Sequence, residues 1–318
     1  MVGGGSLSAF YPVHALDHPY VQYLHYLTDG MGIVNGNTVA NYISAVHASL
    51  SRWFIEPPPQ SMLAWDLVHR LKQLPSAQPR FRDAASPDLV QSVLSDSSLD
   101  MGVRTTVLLM WFLSSRISEV IAPSATSFDA SYTLLRRDVE FLDTTHVRLF
   151  VPHSKSDRFN NGSNVFIAAT GGQFCPVALL RQYLASTHNF DPASPLLRRL
   201  DGSNVTRSSV VAALKKHASK IGLDPRFISS HSLRSGSATK MASEGLQLAD
   251  ILLQGRWASE EACLKYLRMT IGRVDRISSA LSLNKSDTSG VANPISTVLL
   301  PLRTRRFALS GTVTGFKR

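Results

Sequence analysis

Apolar residues recur at helical spacing along most of this chain, and one stretch near its middle switches to a two-residue period. Over 37–54, NTVANYISAVHASLSRWF, the positions Val39, Tyr42, Ile43, Val46, Leu50 and Trp53 follow a capping-type Asn37. The triple proline at 57–59 breaks that pattern, since proline lacks the amide hydrogen a helix interior needs. MLAWDLVHRLKQL (62–74) then resumes it. The following stretch, PSAQPRFRDAASPD (75–88), is rich in Pro, Ser and Ala and carries Arg80 and Arg82. It predicts a basic inter-domain linker. From Pro87 onward a longer helical stretch runs through TTVLLMWFLSSRISEVI (105–121).

The period changes at THVRLFVPHSK (145–155) and SNVFIAA (163–169), which favour strands. The Asn-Gly of the intervening DRFNNG is a hairpin signal. Helical spacing returns at 177–185, 205–222, 233–245, 248–254 and 260–268. Over 271–284, Ile271, Val274, Ile277, Leu281 and Leu283 continue it loosely, and beyond that the periodicity fades. The pattern as a whole predicts a mainly α fold with a small β-sheet or hairpin. The length of 318 residues is a prior for two domains.

Charge narrows the function classes. The net charge of +10 favours a polyanionic partner, nucleic acid first and an anionic membrane surface second. Within 285–318, Lys285, Arg303, Arg305, Arg306, Lys317 and Arg318 stand against Asp287 alone, which predicts a flexible basic tail. The two cysteines, Cys175 and Cys263, lack metal-type spacing and argue against a disulfide scaffold or a zinc site. The N-terminal MVGGGSLSAF lacks a signal-peptide layout, and the longest apolar run, 107–113, is too short to span a bilayer. A soluble intracellular protein is expected.

The candidate chemistry centres on SSHSLRSGSATK (229–240). With Ser229 or Ser230 as N-cap, His231 and Arg234 fall in the first helical turn, beside free backbone N–H groups. Cations are unfavourable there unless an anion meets them, and together with those donors they form a phosphate cradle. The pair has company. Arg116 and Glu119 lie upstream in SSRISEV, Lys155 ends the first predicted strand, and Trp257 and Tyr266 follow in GRWASEEACLKYLR (255–268). By residue type alone, Arg116 is also a surface arginine, Tyr266 a core aromatic, and Lys215, Lys216 and Lys220 rivals to Lys155.

The ordered set Arg116, Lys155, His231-x-x-Arg234, Trp257, Tyr266 resembles the active site of the tyrosine recombinases, the phage-integrase-type family. The resemblance spans about 37–284 and is strongest over 226–268. It implies a two-domain C-shaped clamp: a helical core-binding domain at 1–82, a catalytic α+β domain at 83–284, and the tail 285–318. It further implies cleavage and rejoining of double-stranded DNA through a 3′-phosphotyrosine, with no metal, cofactor or ATP. Tyr266 would be the nucleophile, Arg116 and Arg234 the phosphate clamps, Lys155 the general acid and His231 the general base or a further phosphate donor. Trp257 would hydrogen-bond and position without exchanging protons, and Glu119 would orient the shell around the site. Arg80, Arg82, Arg207, Lys215 and Lys216 would contact the DNA backbone. A homotetramer on two DNA sites is implied, with 271–284 docking on a neighbouring protomer or on its own domain. A type IB topoisomerase-like enzyme and a catalytically inactive DNA-binding protein of the same fold are the alternatives.

Three departures stand out. Serines occupy 114 and 115, where the family usually has a glycine before its first arginine. The segment 123–141 is longer than the family's sheet entry, while at the seat of Trp257 the family usually has histidine and tryptophan is also found. FCPVALLRQYL (174–184) is reminiscent of recombinases carried by eukaryotic mobile elements.

Overall fold

Helical spacing becomes three packed helices in the first part of the chain: α1 (Pro19–His25), which runs on into one π turn (Tyr26–Gly30), α2 (Gly36–Arg52) and α3 (Met62–Gln73). Tyr20, Val21, Leu24, Leu27, Val39, Ile43, Ala64, Leu67 and Val68 form their shared core. On α2 the buried positions are Val39 and Ile43, whereas Tyr42 and the more distal Trp53 are exposed, so the inward stripe is narrower than the apolar pattern suggests. The computed structural model of the chain describes residues 19–32, 36–53, 55, 62–73, 82–155, 157, 159–268, 274 and 278. It divides into two compact units, Met1–Phe81 and Arg82–Arg318. Arg80, all of 271–284 except Val274 and Ser278, and the tail 285–318 lie outside the described residues.

The second unit starts with α4 (Pro87–Leu94), where Ser86 caps the N-terminus by accepting from the Leu89 amide and Pro87 occupies the first helical position. Asp100 caps α5 (Met101–Phe112) through Gly102 and Val103, and α5 is buried on nearly every side. The helical pattern expected through 121 stops at Phe112. Ser114 takes a left-handed φ of 45°, turning the chain out of the helix and into a 3₁₀ turn at Ile117–Glu119.

A three-stranded antiparallel sheet follows, β1 (Val139–Phe141), β2 (His146–Val151) and β3 (Ser163–Ala168), in the order β1-β2-β3. Its registers pair Glu140 with Arg148 and Leu149 with Val165. Val147, Leu149 and Val151 point to the core while His146, Arg148 and Phe150 face out, the two-residue period read in the sequence. The β2–β3 connection occupies 152–162, longer than an Asn-Gly two-residue turn, with Asn160 and Gly162 both at positive φ.

Among the described residues five further helices follow: α6 (Pro176–Ser186), α7 (Arg207–Lys220), α8 (Ser230–Ser243), α9 (Leu248–Gly255) and α10 (Glu260–Leu264). α8 starts at Ser230 behind the N-cap Ser229, and α10 starts behind Ser259, which accepts from the Ala262 amide. α10 is shorter than the expected 260–268 and ends before Tyr266. α8 is the central helix, buried from Ser230 through Thr239 apart from His231. Its small side chains permit that burial. A Cβ added at Gly236 would lie 2.1 Å from the Ala85 carbonyl oxygen, so the chain at 85 packs directly on the helix backbone. Among the described residues, no helix is long and apolar enough to cross a membrane.

Candidate active site

The serines of SSHSLRSGSATK are fasteners. Ser237 Oγ donates to Ser114 Oγ (2.9 Å), Ser235 Oγ donates to the Tyr266 carbonyl (2.6 Å), and Thr239 Oγ1 accepts from the Arg268 amide (3.1 Å). α8 thereby ties the turn that carries Arg116 to the segment that carries Tyr266, which are 150 positions apart in the sequence. Each bond also satisfies a hydroxyl that burial would otherwise strand.

Arg234, the fifth residue of α8 and so just past the first turn where the sequence placed it, projects into this junction and is fully buried. One amino nitrogen donates to the Ser114 carbonyl. The guanidinium carbon lies 3.9 Å from the Trp257 ring centroid and 5.4 Å from that of Tyr266. The two rings meet edge to face at 5.7 Å. Trp257 reaches this place by lying across Gly255, where a Cβ would come within 1.7 Å of its ring. Among the described residues, Arg234 Nε and Nη2 and the buried Trp257 Nε1 have no hydrogen-bond partner. Leaving a buried donor unsatisfied costs about 1–3 kcal/mol, more for a charged one, so this cluster of donors is built for an acceptor.

Charge sets the same demand. Glu119, buried in the 3₁₀ turn, accepts from Arg116 Nη1 (2.7 Å), the Arg116 amide (3.1 Å) and Arg256 Nη2 (2.6 Å). Burial alone would raise its pKa. The Arg256 charge, the hydrogen bonds from Arg116 and Arg256, and the Arg234 charge outweigh that and hold the carboxyl below its usual range. Burial in turn lowers the Arg234 pKa, with Glu119 opposing and Arg116 adding to the shift, yet a guanidinium keeps its proton. One carboxylate thus faces three guanidiniums and leaves the cluster positive. Arg256 was not singled out from the sequence. It ends α9 in a left-handed conformation at φ 55°, directly before Trp257, and its partner Glu119 is 137 positions away.

His231, exposed on the same helical turn, has its pKa lowered by partial desolvation and then by Arg207, Arg116, Arg234 and Lys155. At neutral pH its imidazole is the uncharged form, able to accept a proton. Arg207, the first residue of α7, lines a cavity with Ile117 and Ser118 of the arginine turn and with His153, two residues before the exposed Lys155, and both cations act on the His231 charge. Tyr266 is half-buried in a turn after α10, its amide bonded to the Cys263 carbonyl (2.8 Å). The structure therefore brings together Arg116, Glu119, Lys155, Arg207, His231, Arg234, Trp257 and Tyr266.

The remaining cations lie elsewhere. Lys216 pairs with Asp96 (3.1 Å), which also receives Lys220 (3.6 Å) and His217 (3.0 Å). Nine residues past Arg207, it sits on the opposite side of α7. Lys215 is exposed beside it. Arg82 Nη1 donates to the Arg226 carbonyl (2.8 Å), a bond internal to the second unit. Among the described residues, no group of His, Cys, Asp and Glu is arranged to hold a metal ion.

Comparison with known proteins gives the arrangement a context. A stretch of 126 residues is 31% identical to an "Integrase/recombinase xerD homolog" of Selenomonas ruminantium, covering 38% of this chain and 37% of that protein. The match therefore spans little more than a third of the curated relative. No family model matches. In three dimensions the chain is similar to the XerH site-specific recombinase bound to palindromic difH substrate in a post-cleavage complex. That likeness has a TM-score of 0.56 at 16% identity, over 87% of this chain and 75% of that one. It is also similar to the Tn1549 transposon integrase in complex with transposon right end DNA, with a TM-score of 0.54 at 14% identity, over 85% and 87% of the two chains. The chain has the tyrosine recombinase fold. Its resemblance to that family holds in sequence and in fold alike.

Set against the tyrosine recombinase pattern, the serine in place of glycine gains a reason. Ser114 adopts the left-handed conformation that glycine takes most easily, and its side chain and carbonyl bond to Ser237 and Arg234. The serine accepts backbone strain and returns two anchors for α8. The tryptophan at 257 supplies a stacking surface under Arg234 together with an indole N–H.

Proposed function

We propose that the chain is a site-specific DNA recombinase or integrase that breaks and rejoins double-stranded DNA through a 3′-phosphotyrosine, needing neither metal nor ATP. The observation that carries this reading is Arg234: a buried guanidinium stacked on Trp257 and near the Tyr266 ring, with two of its nitrogens unpartnered. A phosphodiester entering there would supply the missing acceptors and negative charge. Arg116 and Arg234 would grip its non-bridging oxygens, and Trp257 Nε1 would add one donor.

The chemistry then follows from the side chains. Tyr266 Oη attacks phosphorus and the bond to the 5′ oxygen breaks, leaving DNA joined through its 3′ phosphate to the phenol oxygen. The phenol proton passes to neutral His231, and Lys155 gives a proton to the departing 5′ oxygen. Because one ester replaces another, a second DNA 5′ hydroxyl can reverse the step on tyrosine without an external energy source. Arg207 would hold the adjacent backbone. The N-terminal helical unit would serve as the core-binding domain, and Arg80, Arg82 and Lys215 would be outlying backbone contacts, whereas Lys216, paired with Asp96 on the far side of α7, would not. Reciprocal exchange of two duplexes requires four cleavages, so we place the reaction in a homotetramer on two sites.

The test is a trapped adduct. Nicked suicide duplexes tiled across the DNA flanking the protein's own gene are incubated with it, and covalent protein–DNA species are resolved on denaturing gels. Wild type should form one without added metal or nucleotide, and Tyr266→Phe none. An adduct that survives Tyr266→Phe would mean another nucleophile.

A further inference from the structure

We propose that Tyr132 is a positioning residue that sets Lys155 for proton delivery, an inference that rests on the recombinase reading above. Lys155 stands on the connection 152–162, which is cross-braced. His153 Nδ1 donates to Asn160 Oδ1 (2.6 Å), linking its outgoing and returning limbs. Asp157 closes the tip by accepting from the Gly162 amide (2.8 Å) and, more weakly, from the Phe159 amide (3.3 Å). Asn160 holds its place at φ 53°, a conformation asparagine tolerates better than most residues.

A braced loop can still swing as a unit, and Tyr132 is what ties this one down. Its ring meets the His153 ring edge to face at 4.9 Å and 71°, and its phenol oxygen accepts from Asn160 Nδ2 (3.3 Å). One side chain therefore touches both limbs, two residues before Lys155 on one and at the far end of the brace on the other. The two assignments agree: Asn160 offers its oxygen to His153 and its nitrogen to Tyr132, so the amide has one orientation that serves both.

Tyr132 is anchored in turn. Its amide bonds to the Asp129 carbonyl (3.1 Å), and Thr133, Leu134 and Leu135, which follow it, are buried. Leu134 accepts from the Leu196 amide (2.9 Å), and Leu135 forms a bridge with Pro195. The path from the hydrophobic core to the lysine is continuous. A cavity of about 250 Å³, lined by Ile117, Ser118, Tyr132, His153 and Arg207 among others, separates this clasp from the arginine turn. The clasp thus stands beside the site, and it comes from the segment 123–141 that exceeds the family pattern in length. A proton donor must reach its acceptor within hydrogen-bond distance, and a displacement of about 1 Å can cost on the order of 100-fold in rate.

The experiment uses the full chain and the duplex on which the wild-type adduct maps, in two forms. One has the ordinary 5′ oxygen at the scissile phosphate; the other has a bridging 5′ sulfur, which leaves as a thiolate and needs no proton. Tyr132→Ala should slow adduct formation on the oxygen duplex by about 10- to 100-fold and leave the sulfur duplex within about twofold of wild type. Lys155→Ala should show the same selectivity, and adding Tyr132→Ala to it should cost nothing more. Tyr132→Phe, which keeps the ring contact and loses one acceptor, should fall between. His153→Ala, which removes the other ring of the clasp, provides an independent variant if Tyr132→Ala melts early. Equal slowing on both duplexes, or no slowing on either, overturns the positioning role while leaving the recombinase reading intact. A wild type that forms no adduct on any duplex overturns that reading and this one with it. Lys155→Ala left unrescued by sulfur removes the lysine as acid, and the clasp's purpose with it.

Discussion

Arg234 and Lys155 are assigned to one phosphate, yet the chain holds them in opposite ways. Arg234 is fully buried on a helix, fixed by a carbonyl, an indole and a phenol ring. Lys155 is exposed on a connection between strands, steadied by neighbours two and five residues away and by Tyr132. The difference suits the roles proposed for the two groups. A group that only stabilises negative charge gains from a low-dielectric seat, because each interaction is stronger there and needs no reorganisation. A group that gives away a proton has to recover it, and solvent access makes that simple. Only a guanidinium suits the buried seat: an ammonium placed there, beside Arg116 and Arg256, would be driven neutral by burial and like charge.

Exchanging the two residue types tests that logic most severely. Arg234→Lys should lower adduct formation by about 100- to 1,000-fold, the cost of losing a preorganised donor, and a bridging 5′ sulfur should not restore it. Lys155→Arg keeps the charge but offers no labile proton, so its loss should be smaller and the sulfur duplex should recover it. Rates on the two duplexes, compared side by side, decide this. Equal rescue of both variants would erase the distinction between clamp and acid.

The next effect is on stability. Glu119→Gln leaves Arg116, Arg256 and Arg234 without their shared counter-charge and should destabilise the second unit by about 3–5 kcal/mol, read from thermal melts. The sign with pH is fixed by the depressed carboxyl. Wild-type stability from this group is complete above the unfolded value of about 4.3 and is lost as pH falls through the lower folded value. The gap between the two proteins should therefore narrow in acid.

Most of this candidate site is legible in the sequence, and the reason is local. Ser229 caps a helix, His231 and Arg234 lie one turn apart, and Trp257 and Tyr266 follow at fixed intervals, so short-range patterns carried the candidates. What could not be read depends on long-range pairing. Arg256 looks like any surface arginine until the fold brings it to Glu119. The apolar spacing of SSRISEVI continues past Ser114 and so points to a longer α5 than the fold has, because the left-handed turn at Ser114 is stabilised by α8, more than a hundred residues on. β1 is three residues long and shows no period of its own. On α7 the wheel position of each cation, not its presence, separates Arg207 at the site from Lys216 at Asp96.

That separation yields the two smallest effects, one in pH and one in salt. His231 has a lowered pKa, so the protonated ring opposes folding: its contribution is complete above 6.5 and diminishes as pH falls below that value. As a base it should give the second-order rate of adduct formation an acid limb below 6.5, absent in His231→Gln. Arg207→Ala, removing one of the charges that depress the ring, should shift that limb upward toward 6.5. The same variant should lower the slope of log affinity against log salt by about one, because one phosphate contact is lost. Lys216→Ala should leave the slope unchanged, since its ammonium already meets Asp96 on the far side of the helix. The reverse result, a slope that follows Lys216 and ignores Arg207, would put the duplex along the Asp96 face. The ring of cations around His231 would then be a feature of the fold with no phosphate in it.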